Sequence, residues 1–205
     1  REITGVFAGE LVQAHEASAE FLMTYVNIPV QRRYDIVIIP AGYVGMNHYQ
    51  CAKAGFEAAR VVKCGGGIIM PANLTAADAI GNPNYKQILA MHARLGTEEV
   101  CRVLLSEEWE FVPEQWEVQM WAKVFVALGG TERFYTCAPR LADLPAGVIP
   151  ETNVAVEKPR QPGWDDRSYA ERMVQETLDD LNATGDKSVL VLSDGPYAVP
   201  VLTTN

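Results

Sequence analysis

Apolar or small residues recur at Leu11, Ala14, Ser18, Phe21, Leu22 and Tyr25, the three-and-four spacing of one helical face, and Asn27 with Pro29 stops the run. An amphipathic helix is predicted over residues 10–25. Residues 35–40, Asp35-Ile36-Val37-Ile38-Ile39-Pro40, are instead a short continuous apolar run, the pattern of a strand covered on both faces. A helix follows to near Val62. Its Ala52, Phe56 and Ala59, with Gly55 and Ala58 beside them, form a small-residue face suited to close packing on a sheet. Gly67-Ile68-Ile69-Met70-Pro71 then repeats the buried-strand pattern. Strand, helix and strand make a parallel β-α-β unit, the kernel of the predicted fold.

Beyond Met70 the pattern turns helical over residues 75–80, where Asp78 stands three after Thr75 in a capping-box-like start, then over 85–95 and 97–105. These helices are expected to cover a site. Pro113 fits the first turn of the next helix, with Trp116, Met120, Val124 and Ala127 as its buried stripe and Gly129-Gly130 as its end. Residues 132–137 read as a strand. Residues 138–165 carry five prolines and little periodicity, which predicts a long irregular connection. A helix over 166–181 turns Ala170, Met173, Val174, Thr177, Leu178 and Leu181 inward and leads to a strand over 188–192. The whole of residues 1–205 is expected to form one α/β domain of three layers, a mostly parallel sheet flanked by helices.

Gly65-Gly66-Gly67 precedes its strand, so it reads as a tight turn that cannot offer helix amides to a phosphate. No GxGxxG follows a strand and no GxxxxGK[ST] occurs. The fold is therefore expected to be Rossmann-like without a dinucleotide loop.

A chain of 205 residues buries roughly 70% of its unfolded surface, enough to fold without staples. Hydrophobic residues make up 48% and charged ones 21%, and no apolar run approaches membrane-spanning length, so no membrane partner is expected. The net charge of -9 repels a phosphate backbone, and no Lys/Arg cluster exceeds Arg32-Arg33. Nucleic acid is excluded as a partner on that ground. A small anion is not, because one lysine in a pocket outweighs the mean field. Cys51, Cys64, Cys101 and Cys137 form no CxxC pair, which predicts reduced thiols in a cytoplasmic protein and no structural metal centre. The start at Arg1, running straight into Ile3-Thr4-Gly5-Val6, suggests a piece of a longer polypeptide.

The candidate chemistry lies after the 35–40 strand and its Gly42-Tyr43-Val44-Gly45 loop, at Tyr49-Gln50-Cys51-Ala52-Lys53. Ligands of open parallel sheets sit beyond the carboxyl ends of strands. Three- and four-residue spacing puts Tyr49, Gln50 and Lys53 on one helical face. An ammonium beside an amide and a phenol can hold a small oxyacid; the same pattern also fits a plain solvated helix start. Trp116 fits either a pocket wall or the core. Cys51 fits a reactive thiol or, better, a small buried filler. His48 is read as an exposed helix-start residue, His15 as bonded to backbone, and His92 as lacking a partner at ligand spacing. Tyr43 and Tyr197 each end a strand-to-loop passage and are candidates to line a cleft.

With Tyr49-Gln50-Cys51-Ala52-Lys53 so placed, the sequence resembles the C-terminal domain of the lactate racemase family of nickel-pincer enzymes. Val6-Phe7-Ala8-Gly9 with Ala14-His15, Gly66-Gly67-Ile68-Ile69-Met70, Pro113-Glu114-Gln115-Trp116-Glu117-Val118-Gln119 and Asp194-Gly195-Pro196-Tyr197 resemble further blocks in order. The resemblance implies racemisation or epimerisation of a 2-hydroxy acid, with Tyr49, Gln50, Lys53 and Trp116 touching substrate. It also implies a nickel-pincer nucleotide, paired catalytic histidines and a pincer-bearing lysine, all on an N-terminal lobe outside this chain. His15, His48 and His92 do not match those histidines, so this chain alone is expected to be inactive. Val44-Gly45-Met46 stands where the family usually has a proline and an aspartate. Asn73-Leu74-Thr75-Ala76-Ala77-Asp78 replaces an acidic, glycine-rich stretch. These departures point to a hydroxy acid related to lactate. A hydroxy-acid binder without turnover and a purely structural assembly module are the alternatives.

Overall fold

The computed structural model describes residues 2–145 and 147–203. In chain order the elements are α1 (Leu11–Val26), β1 (Asn27–Val30), β2 (Tyr34–Ile38), α2 (His48–Ala59), β3 (Val62–Pro71), α3 (Pro83–Leu95), α4 (Thr97–Leu104), α5 (Gln115–Leu128), β4 (Phe134–Cys137), β5 (Thr152–Asn153), α6 (Val154–Glu157), α7 (Asp166–Leu181), β6 (Val189–Val191) and β7 (Val199–Leu202). Five strands pair in the order β5-β4-β3-β2-β6, every pair parallel. Val37 sits between Ile68 and Leu190, and Ile38 between Ile69 and Val191. The chain leaves β2 toward β3 and returns at β6 on the other side, which makes the carboxyl ends of β2 and β6 a switch point where loops part and a ligand has room.

Neighbouring residues of a strand face opposite layers, and the burial follows that rule. Val37, Ile39, Ile68 and Met70 pack with Ala52, Ala54 and Ala58 of α2 and with Trp121, Val124, Phe125 and Leu128 of α5. Ile36, Ile69 and Cys137 pack on the other face with Val154 and Ala155 of α6 and with Tyr169 and Met173 of α7. This is the α/β, three-layer, mostly parallel architecture expected. The small face of α2 is required by contact, since a Cβ at Gly55 would lie 3.1 Å from ring atoms of both Phe134 and Trp121. No helix among the described residues is long and apolar enough to cross a membrane.

Several local expectations differ from the structure. Gly65-Gly66-Gly67 lies inside β3, not in a turn before it, and the β2–β3 register shifts there between Tyr34 and Ile36. A Cβ at Gly66 would sit 2.5 Å from the Asp35 carbonyl oxygen, so glycine serves close approach of two strands. Residues 75–80 are not helical. The Asp78 carboxylate accepts from the following amides of Ile80 and Gly81 at 2.9 and 3.2 Å, while Arg140 draws the carbonyls of Leu74 and Ala76 sideways. Both interactions compete with helix hydrogen bonds. Within the proline-rich 138–165 stretch, β5 adds a two-residue edge strand and α6 follows at once. The stripe of α1 is exposed or half-exposed throughout, with no buried residue, and its exit strand β1 pairs with β7 in a separate parallel pair.

Helix α5 is rotated from the expected stripe. Val118, Trp121, Val124, Phe125 and Leu128 point inward, whereas Trp116 is 44% exposed and Met120 and Ala127 are half-buried. It starts at Gln115, two residues after Pro113, because the Gln115 side-chain oxygen accepts from Val112 N and Trp109 Nε1, each at 2.9 Å. That tie folds the preceding loop back, and Glu114 takes a left-handed conformation with φ of 72°.

Candidate functional site

Helix α2 opens just beyond the loop at the carboxyl end of β2. Asn47 caps it, its side-chain oxygen accepting from Gln50 N at 3.0 Å. The first two turns thus present Tyr49, Gln50 and Lys53. The exposed Lys53 ammonium donates to the Gln50 side-chain oxygen, so two of the three expected residues meet directly. The Tyr49 hydroxyl is engaged by this chain itself, donating to Glu114 Oε2 at 2.6 Å. Burial, that carboxylate and nearby Glu117 all hold the phenol well above its ordinary pKa, so it acts as a hydrogen-bonding group. Trp116 meets the Tyr49 ring edge-on at 5.7 Å between centroids. From there an apolar groove of 670 Å³ runs along α5, between Leu104, Leu105, Met120 and Val126.

Glu117, next to Trp116 on α5, is near enough to Tyr49, Lys53 and Glu114 for their charges to be felt. It is fully buried, and neither carboxyl oxygen has a hydrogen-bond partner among the described residues. Burial pushes its pKa up to about 7; Lys53 opposes that rise and Glu114 adds to it. Neither Glu114 nor Glu117 is among the residues expected at the site. Glu117 was detectable, since with Trp121, Val124 and Leu128 it holds positions i, i+4, i+7 and i+11 of the true inner stripe. A carboxylate on such a stripe calls for a reason.

Beneath the face, His48 is fully buried, contrary to the exposed position expected for it. Its Nδ1 lies 2.6 Å from the Tyr85 hydroxyl and its Nε2 lies 2.8 Å from Glu151 Oε1. Trp121 Nε1 donates to the Tyr85 hydroxyl at 3.0 Å, and Thr136 Oγ1 donates to Glu151 Oε1 at 2.8 Å. The ring is thus hydrogen-bonded at both nitrogens, to a phenol on one side and a carboxylate on the other. Burial pushes the Glu151 carboxyl up, but His48 and its hydrogen bonds outweigh that and leave it below its ordinary value. The network ties α2 to α3, α5 and β4, and Tyr85 also supports the Tyr49 ring at 5.1 Å. His48 and Glu151 are thus braces for the site.

The remaining candidates are settled by burial. His92 is buried on α3, its Nε2 lying 2.9 Å from Thr97 Oγ1, and burial takes its pKa down to about 4. Cys51 is a buried filler, its thiol held far above its usual pKa by burial and then by Glu151. Tyr43 and Tyr197 stack on each other at 5.3 Å at the switch point. The Tyr197 hydroxyl accepts from the amides of Tyr43 and Val44 at 3.1 and 3.3 Å. The tight turn needs Gly42, with φ of +60° and a Cβ position 3.0 Å from the Tyr197 ring.

No family model and no curated protein sequence matches the chain. Among solved structures it is similar to the lactate racemase apoprotein from Thermoanaerobacterium thermosaccharolyticum, with a TM-score of 0.63 over 93% of this chain. The fold is lactate racemase-like. Sequence identity is 17%, and this chain spans 40% of that protein's length.

Proposed function

We propose that this chain is the substrate-binding C-terminal domain of a lactate racemase-like racemase or epimerase acting on a 2-hydroxy acid. The nickel-pincer nucleotide and the catalytic bases belong, in this reading, to an N-terminal lobe of the same polypeptide. The observation that carries the proposal is the joint placement of Lys53, Gln50, Tyr49 and Trp116 around the start of α2. Lys53 would receive the substrate carboxylate, exchanging its bond to Gln50 for a charge-assisted one. Gln50, so released, would hold the α-hydroxyl. Tyr49, anchored on Glu114, and Trp116 would wall the site and exclude water.

Among the described residues no group of three His, Cys, Asp or Glu side chains converges to hold a metal. In this reading the chain's own part is to bind and orient. A lone cation on a half-exposed face suits a small anion, and the surrounding acidity rejects polyanions.

The test is racemisation of lactate, 2-hydroxybutyrate and malate by the full-length polypeptide with its cofactor loaded, read by chiral chromatography. Lys53→Met is expected to lower kcat/KM by about 2–5 kcal/mol of transition-state stabilisation while leaving the fold intact. An unchanged kcat/KM would remove the clamp from the proposal.

A further inference from the structure

A fully buried carboxyl is costly unless it is paired or protonated, and Glu117 has no hydrogen bond for either oxygen among the described residues. The titratable and charged groups acting on it are Lys53 and Tyr49 from α2, Tyr85 from α3 and Glu114 just before α5. Of these Lys53 alone is a cation, and its ammonium is bonded to Gln50. Lys53 is thus a shared resource: it can favour the Glu117 carboxylate or an incoming one. Two carboxylates at one ammonium repel, and the cheaper state keeps a proton on the buried member.

We propose that Glu117 gates this site by protonation: binding of a hydroxy-acid anion at Lys53 is accompanied by uptake of one proton on the Glu117 carboxyl. The inference rests on the hydroxy-acid reading above and adds to it a pH dependence and a positioning role for a residue that need not touch the ligand. The proton comes from solvent, the carboxyl becomes neutral, and no other bond changes. Glu117 has its pKa raised to about 7 by burial, so the switch falls near neutrality. Below that pH Glu117 already holds its proton and binding is pH-independent. Above it, affinity falls as the proton has to be recovered. Between the free and ligand-bound midpoints a single coupled proton raises Kd by up to tenfold for each pH unit.

The test is NMR of the full chain with labelled glutamate carboxyl carbons and lysine ammonium groups. It is titrated from pH 5 to 9 with and without sodium lactate, 2-hydroxybutyrate or malate. The expected result is a Glu117 midpoint near neutrality that moves upward under a saturating hydroxy acid and in Lys53→Met. Kd is expected to rise by up to about tenfold per pH unit between the free and ligand-bound midpoints in the parent chain and to stay flat in Glu117→Gln. An ordinary acidic midpoint for Glu117, or one unmoved by a ligand that does shift the Lys53 signal, overturns the gate and leaves the hydroxy-acid reading standing. Silence of the Lys53 signal toward all three acids at every pH overturns both. The carboxyl titration needs no variant, so the gate is tested even if Glu117→Gln fails to fold.

Discussion

Glu117 affects stability as well as binding, and the sign follows from which state keeps the proton. Its folded pKa is raised to about 7, whereas in the unfolded chain it lies in the ordinary carboxylate range. Between these values the folded protein holds a proton that the unfolded chain has released, so stability falls as pH rises toward 7 and then levels off. Buried His92 acts the other way. Burial lowers its folded pKa to about 4, so the unfolded chain takes up the proton first and stability is lost as pH falls from about 6.5. The difference between parent and Glu117→Gln isolates the carboxyl. Urea unfolding is expected to give a difference that grows in favour of the variant by roughly 2–3 kcal/mol between pH 4.5 and 7.5. A flat difference would mean that Glu117 is solvated or paired.

At the scale of elements, α2 carries Tyr49, Gln50 and Lys53 of the proposed site. Its first turn is held by the Gln50 amide donating to the Asn47 side-chain oxygen, by the His48 and Tyr49 amides donating to the Ala79 and Ile80 carbonyls, and by the buried His48 side chain. Asn47→Ala is expected to cost about 0.5–2 kcal/mol and to speed hydrogen exchange at the Gln50 amide, with the sheet amides unaffected. Protection unchanged at Gln50 would shift the brace to buried His48 and to the Ala79 and Ile80 carbonyls. The elements that position α2 were legible because each has a local signature: the apolar run into Pro40, the Ala/Gly face of α2, and Gly129 ending α5. What was not legible depends on partners distant in sequence. Glu151 meets His48 across 103 residues, so neither could be assigned from its own neighbourhood. Arg140 reaches back 66 residues to the Leu74 carbonyl, and that contact helps turn an expected helix into a bent loop. The two-residue β5 carries no periodicity at all. The meeting of Gln50 with Lys53 was legible because they stand three apart on one helix. The burial of Glu117 was not, because a stripe through Trp116 placed it on the wrong side of α5.

For the molecule as a whole, α1 stands apart energetically from the three-layer body. It is a 16-residue helix with no buried residue, capped by Glu10, whose carboxylate accepts from the Val12 and Gln13 amides at 3.0 and 3.1 Å. Its aromatic contacts, Phe7 with Phe21 and Phe21 with Tyr25, are all local. Helices of this length are marginal without tertiary packing. The connection to the body comes after it, where β1 pairs with β7, Val30 is buried, and Thr203 N donates to the Val30 carbonyl at 2.9 Å. Removing residues 2–26 is therefore expected to change the unfolding free energy by less than about 1 kcal/mol, because little apolar area returns to water. Extending the deletion through Val30 is expected to cost more, since it strips β7 of its paired strand and removes the buried Val30 side chain, worth about 1.5–3 kcal/mol. Urea unfolding of the two truncations, compared by midpoint and slope, reads the difference directly. A large loss from the shorter deletion would show that α1 is part of the cooperative body. Equal stability of both would show that the β1–β7 pair contributes nothing to it.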